Sequence, residues 1–431
     1  RDIALRSVFL SLMQSESDAM SWDKKFSTDA GAIKASEIRE LLKILSDPSI
    51  LSFAGGIPDP AYFPMAQVKD IISGLESRPD LNRQAMQYSL SEGYEPLRTW
   101  VSETSSTAEI SLGIDNILIT NGAQQSLTLL AAALIDVDSP IAVADPTYLG
   151  ALQVFGTRRP RFVSIETDAD GLRMESLEDA FKKGVKLLYT IPDFQNPGGM
   201  TIPEERRQRI VDLAHRYDVV ILEDTAYRAL YYDMPPPPSL LEIEGRTLGA
   251  AEWHTKGLVI QLGTVSKTLM PALRVGWTIA PQVLLDKLVL LKQANDLHTS
   301  TFNQIIAHEL ATGILTDHTI KLREIYRKRR DAMTTALRQH LPNSSRFSAP
   351  QGGMFVWLTL PAGMDARNLL KSALNEEKIA FVPGAAFYAN GGGENTLRLS
   401  FSTCSPETID EGMKRLSALI AREYLAMISS Q

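Results

Sequence analysis

The sequence of 431 residues contains a single cysteine, Cys404. One thiol cannot close an intramolecular disulfide, so no disulfide framework braces the chain, and the usage fits a reducing compartment, the cytoplasm. Histidine is scarce too. One Cys and six scattered His cannot assemble a zinc-type cluster, so no metal is expected. No apolar run approaches the roughly 20 residues of a membrane span. The longest candidate, LTLLAAALIDV at 127–137, reads as a buried helix, and no membrane partner is expected. SVFLSLM at 7–13 is short for a secretory signal and leads into acidic, polar residues instead of a small-residue cleavage site. Basic charge is also short. Against 51 Asp and Glu stand 44 Lys and Arg, a net charge of -7, where a nucleic-acid binder shows a basic surplus.

What is present is globular in character. Hydrophobic residues make up 44% and charged residues 22% of the chain, and the length suits two or three packed domains. Residues 1–33 are polar and weakly patterned, an expected arm. KASEIRELLKIL follows, with Ser36 as N-cap and Ile38, Leu41, Leu42 and Leu45 on one helical stripe; residues 34–59 are expected to pack against a smaller C-terminal domain. From 60 to 312 short apolar runs alternate with helical stretches: NILIT, IAVAD, KLLYTI, DVVILED and GLVIQL. Near-continuous apolarity without alternation predicts strands covered on both faces, hence an α/β domain built on a mostly parallel sheet in three layers. A long charged helix around 313–335 opens a smaller α+β domain, 313–431, with strands near GGMFVWLTL and TLRLSF. The RKRR cluster at 327–330 in that helix reads as a solvated helix face beside acidic neighbours rather than a nucleic-acid patch. PPPP at 235–238 is read as the start of a polar surface loop to about 257.

In open α/β sheets ligands bind beyond the carboxyl ends of the strands, and there this chain concentrates its polar chemistry. NILIT is followed by NGAQQSL, a small-residue turn opening a helix, whose free N–H groups suit a phosphate. IAVAD leads to Tyr148, KLLYTI to Asn196 before a proline, and DVVILED ends at Asp224 with Tyr227 three residues on. GLVIQL runs into GTVSKTLMPALRVGW, an apolar stretch that keeps Thr264, Ser266, Lys267 and Arg274. Each taken alone has an ordinary reading: a turn asparagine, a helix-capping aspartate, a packed tyrosine. One amine, one carboxylate, one amide, two phenols, two hydroxyls and an arginine at a single rim match the requirements of pyridoxal phosphate, an electron sink held by a lysine with an acidic partner at its ring nitrogen.

The chain resembles fold-type I pyridoxal-phosphate-dependent aminotransferases, in particular the branch of 2-aminoadipate, kynurenine and aromatic aminotransferases. LSFAGGIPDPAYFP, QYSLSEGYEPLR, TNGAQQSL, DPTYLGAL, QNPGG, EDTAY, GTVSKTLMPALRVGW and NTLRLSF carry the resemblance in order, over nearly the whole chain after the arm. It implies pyridoxal 5'-phosphate as cofactor, joined to Lys267 as a Schiff base, with Lys267 as the proton carrier. Asp224 is then the ring-nitrogen partner, Asn196 and Tyr227 hold the ring oxygen, and Tyr148 stacks on the ring. Gly122, Ala123, Gln124, Thr264, Ser266 and Arg274 surround the phosphate. Tyr88 reaches the phosphate of a neighbouring subunit, which implies a homodimer.

On the substrate side, Arg398 and Asn196 are implied to bind the amino acid, Arg398 gripping its α-carboxylate, a bidentate task that lysine performs poorly. Gly56 brings backbone close to the substrate, and Arg39 meets a distal carboxylate, admitting glutamate, 2-aminoadipate or 2-oxoglutarate. Two positions depart from the frequent pattern: EDDPY is EDTAY here, and the glycine often found after the proline of the lysine motif is Ala272. The expected function is transfer of an L-amino acid's amino group to a 2-oxoacid in a ping-pong cycle. A lyase, decarboxylase or oxidase outcome on the same cofactor stays open, and, less favoured, an aminotransferase-like transcription regulator.

Overall fold

The computed structural model describes residues 22, 25–32, 47 and 49–429. The helix expected over KASEIRELLKIL, with Arg39, lies outside the described residues.

The central element is an eight-stranded sheet. Its strands are β1 (Ile117–Thr120), β2 (Pro140–Asp145), β3 (Arg161–Asp168), β4 (Gly171–Leu172), β5 (Leu187–Thr190), β6 (Val220–Asp224), β7 (Val259–Thr264) and β8 (Gly276–Ile279). The spatial order is β1-β8-β7-β6-β5-β2-β3-β4. Pairing is parallel from β3 through β2, β5 and β6 to β7. β8 runs antiparallel between β7 and β1, and β4 folds back antiparallel on β3.

The apolar runs have their expected cause. On β2, Ile141 and Val143 join one buried cluster and Ala142 and Ala144 the other, so successive side chains pack under opposite helical layers. One layer contains the helices Ala123–Leu134 and Gln282–Asn295; the other contains Glu95–Ser105, Glu204–Tyr217 and Thr301–Gly313. Three of the eight strands fall outside the sequence reading. β3 is partly exposed along most of its length and lacks a continuous apolar run, β4 is only two residues long, and β8 begins at the end of the lysine motif.

Helix Leu315–His340 leads to a second, antiparallel sheet of β9 (Arg346–Phe347), β10 (Phe355–Thr359), β11 (Val382–Pro383) and β12 (Thr396–Ser400), ordered β9-β10-β12-β11. The C-terminal helix, Pro406–Ser429, shares a buried cluster with Leu315–His340. Leu51–Ser52 pairs in parallel with Ile379–Ala380 and so delivers residues 54–56 to the gap between the two sheets. Of the RKRR cluster, Arg329 is buried against Asp59 at 2.7 Å and Arg330 pairs with Asp233 at 2.8 Å. Both are structural partners of carboxylates, so the solvated-face reading holds for Arg327 and Lys328 and is corrected at Arg329, which the helix turns inward.

The stretch after PPPP corrects one expectation. It is no polar surface loop. Helices Leu240–Leu248 and Ala250–Lys256 fill it, and Leu240, Leu241, Ile243 and Trp253 are buried in the core. Ser239 caps the first helix by accepting the Glu242 N–H at 3.0 Å, the S-x-x-E arrangement of a capping box. The buried Glu223 carboxylate accepts the N–H groups of Leu240 and Leu241 at 2.7 and 3.1 Å.

Among the described residues no helix is long and apolar enough to cross a membrane, and no group of His, Cys, Asp and Glu is placed to hold a metal ion.

Candidate active site

The carboxyl ends of β1, β6 and β7 open into one cavity of about 250 Å³. Ala123, Gln124, Tyr148, Asn196, Asp224, Tyr227, Thr264, Ser266, Lys267 and Arg274 all line it. The topology gathers them because strands that are distant in sequence are neighbours in the sheet. Leu127, Ile191, Ala226 and Pro271 complete the wall; these are apolar or small side chains that motif reading passes over.

At one end the chain leaves β1 and enters helix Ala123–Leu134 through Gly122, whose φ of 77° lies in the left-handed region. A Cβ there would sit 2.7 Å from an Arg274 guanidinium nitrogen, so only glycine lets the arginine lie against the helix start. Arg274 Nη2 donates to the Asn121 carbonyl at 3.0 Å. Thr264 Oγ1 lies 2.9 Å from both the Val275 carbonyl, which can only accept its one proton, and Ser266 Oγ, and accepts the Ser266 N–H at 3.1 Å. A helix N-terminus, two hydroxyls and a guanidinium thus face one end of the cavity, a donor set suited to a dianion.

Asp224 ends β6, buried at the cavity floor. Burial pushes its carboxyl up, against hydrogen bonds from Ala226 and Tyr189 and the charge of Lys267. The Tyr189 hydroxyl donates to Oδ2 at 2.9 Å and the Ala226 N–H to Oδ1 at 3.1 Å. Tyr189 is not among the expected site residues, because it is one of several apolar-run residues on β5. The register that sets it beside Leu222 gives no sequence signal.

Lys267 leaves the end of β7, and its Nζ donates to the Gly56 carbonyl at 3.3 Å and lies 5.9 Å from the centre of the Tyr227 ring. Its amine is pushed down to about 8, first by burial, then by the Arg398 guanidinium, with Asp224 acting in the opposite direction. Asn196 Nδ2 is 3.5 Å from the Tyr227 hydroxyl. Burial raises the phenols of Tyr148 and Tyr227 above their ordinary value, so both stay protonated donors at neutral pH.

Arg398 enters from β12 of the second sheet and is buried. Its Nη1 donates to Asn196 Oδ1 at 2.8 Å and its Nη2 to the Ala54 carbonyl at 3.0 Å. The guanidinium lies 4.2 Å from the Phe355 ring centre and 5.0 Å from that of Phe387. Burial pushes it down to about 10, so it remains a cation at neutral pH. Its Nε is buried with no hydrogen-bond partner, a donor left for something the protein itself does not supply. A Cβ on Gly56 would come within 2.9 Å of Phe355 and 3.6 Å of Arg398. Tyr88 stands apart, 79% exposed, its ring edge-on to His298 at 5.9 Å.

Comparison with known proteins agrees with this geometry. The family model for aminotransferase class I and II matches residues 66–416. The chain is similar to a 2-aminoadipate transaminase of Thermus thermophilus, 42% identical over 410 residues that cover 95% of this chain and 99% of the relative. It is similar to an aromatic-amino-acid aminotransferase of Thermococcus litoralis at 39% identity, covering 95% and 97%. Among solved structures, an α-aminoadipate aminotransferase of Thermus thermophilus, crystallised with N-(5'-phosphopyridoxyl)-L-leucine, superposes with a TM-score of 0.85 at 40% identity, covering 94% of this chain and 99% of that one. The chain belongs to the class I and II aminotransferases and has their fold-type I architecture.

Proposed function

We propose that this aminotransferase moves the amino group of an L-amino acid to a 2-oxoacid in a ping-pong cycle, with pyridoxal 5'-phosphate held in the cavity at the ends of β1, β6 and β7. The observation that carries the reading is that Lys267 and Asp224 line one cavity: an amine depressed to about 8 together with a buried carboxylate. The residues fit the cofactor. Gly122 leaves open the space a side chain would fill beside Arg274, and the hydroxyls of Thr264 and Ser266 stand at the same end.

When bound, the cofactor supplies an electron sink for the bond broken at the substrate Cα. Every other role belongs to the chain. Gly122, Ala123, Gln124, Thr264, Ser266 and Arg274 hold the phosphate; Asp224 accepts from the ring nitrogen; Asn196 and Tyr227 donate to the ring oxygen; Tyr148 covers the ring. Lys267, its amine lowered to about 8, takes the Cα proton and returns it, the behaviour of a base whose pKa sits near the working pH. Arg398 binds the α-carboxylate, its unpartnered Nε supplying a donor. Gly56 keeps that approach open, and Arg39 answers a distal carboxylate. The names of the two relatives, a 2-aminoadipate transaminase and an aromatic-amino-acid aminotransferase, support donors of these two kinds; the acceptor in this reading is 2-oxoglutarate. Residues 60–312 form the cofactor-holding domain and 313–431 the smaller one, in a cytoplasmic homodimer whose sites lie at the subunit interface.

The test is spectroscopic. Protein supplied with pyridoxal phosphate gains a visible band that L-2-aminoadipate or L-glutamate bleaches and 2-oxoglutarate restores. If aromatic donors bleach it and acidic ones do not, the Arg39 role falls. No band at all contradicts the cofactor reading.

A further inference from the structure

Asp224 carries two protein donors, one on each carboxylate oxygen. The Tyr189 hydroxyl reaches Oδ2 at 2.9 Å and the Ala226 N–H reaches Oδ1 at 3.1 Å. Tyr189 is fully buried on β5, and its ring packs edge-on against Phe155 with centres 5.6 Å apart, which holds the ring in place beside Asp224. Residue 226 is alanine and retains a backbone N–H that a proline would lack. Two such bonds fix both the orientation and the charge of the carboxylate, because donors to the ionised form oppose the cost of burying it.

The need for that support is visible around Asp224. Lys267 is the cation that acts on it, and burial depresses that amine as well. The other titratable groups facing the carboxylate, Tyr148, Tyr227 and Tyr189 itself, are phenols that burial keeps neutral. A buried carboxylate with one weak counter-charge holds its ionised state through hydrogen bonds or loses it.

We propose that Tyr189 is a positioning residue of the site: with the Ala226 N–H it holds the Asp224 carboxylate ionised and in one orientation, and so sets how strongly the chain binds a cofactor ring that carries a nitrogen. The role rests on the cofactor reading above. It acts through Asp224 alone, since Tyr189 is not among the residues lining the cavity.

The experiment compares two ligands on two proteins. Pyridoxal phosphate and its analogue with C–H in place of the ring nitrogen are titrated into the wild-type apoprotein and into the Tyr189→Phe apoprotein, with binding read by absorbance. Wild-type prefers the nitrogen-containing cofactor. In Tyr189→Phe that preference falls by about tenfold, the effect of one hydrogen bond to a charged group, while affinity for the analogue stays within about twofold. Ala226→Pro removes the other donor and lowers the same ratio, which keeps the test intact if Tyr189→Phe does not fold. Equal weakening of both ligands, or an unchanged ratio, overturns the role of Tyr189 and leaves the cofactor reading standing. Wild-type protein that binds neither ligand overturns the cofactor reading and this inference with it.

Discussion

Arg398 and Asn196, 202 positions apart in the chain, meet in a 2.8 Å hydrogen bond from the guanidinium Nη1 to the amide Oδ1. The bond joins the second sheet to the loop after β5. It also orients the Asn196 amide so that its Nδ2 points toward the Tyr227 hydroxyl. One arginine therefore links the proposed substrate side to the proposed cofactor side. Arg398→Lys keeps the charge and loses the fork. The expected result is a kcat/KM lower by about tenfold to a hundredfold, on the scale of a charged hydrogen bond, with most of the change in KM for the amino acid. Steady-state kinetics with a single donor check it; an unchanged KM removes Arg398 from carboxylate binding.

Lys267 predicts a pH dependence that is measurable without turnover. Its amine is lowered from the ordinary 10.5 to about 8, and the free amine is the nucleophile that takes up an aldehyde. Below pH 8 the protonated form dominates, so loading of apoprotein with pyridoxal phosphate accelerates as pH rises through about 8 and levels off above it. Arg398 is a cation that lowers this value. Arg398→Gln therefore moves the inflection upward, and stopped-flow absorbance across the pH range reads the shift. An inflection near 10 in the wild-type would mean that Lys267 is not desolvated.

The helices after the proline run predict a stability effect. Trp253 is fully buried and its indole N–H donates to the buried Glu244 at 3.0 Å. Trp253→Ala is expected to cost about 3–5 kcal/mol, the range for removing a large buried aromatic. A surface insertion would show almost no change. Denaturant unfolding of the two proteins separates the outcomes.

Much of the sheet is legible in the sequence because β2, β5, β6 and β7 are covered on both faces, which forces apolar residues at successive positions. β3 hides because its partly exposed residues mix charge with apolarity. The helices at 240–256 hide behind four prolines, although Ser239 and Glu242 carry a capping signature. The rim of the site is legible because its residues follow strands directly. Contacts such as Tyr189 with Asp224, and Arg398 with Asn196, depend on inter-strand register and on the meeting of two sheets, and no local pattern in the chain encodes either.

Tyr88, highly exposed on this chain, predicts a complementation result. Lys267→Ala and Tyr88→Ala proteins are each expected to be poorly active. Mixed and refolded together, they form heterodimers in which one site combines an intact Lys267 with the partner subunit's intact tyrosine. Activity then exceeds the sum of the two parents. If Tyr88 serves its own subunit, or no dimer forms, mixing restores nothing.

The central claim, that Lys267 is the lysine that bears the cofactor, is tested most directly by trapping. Protein loaded with pyridoxal phosphate is reduced with borohydride, digested, and its peptides mapped by mass spectrometry. The account predicts a phosphopyridoxyl group on Lys267 alone, absent from the Lys267→Ala protein. A label on another lysine, or no label on any, contradicts it.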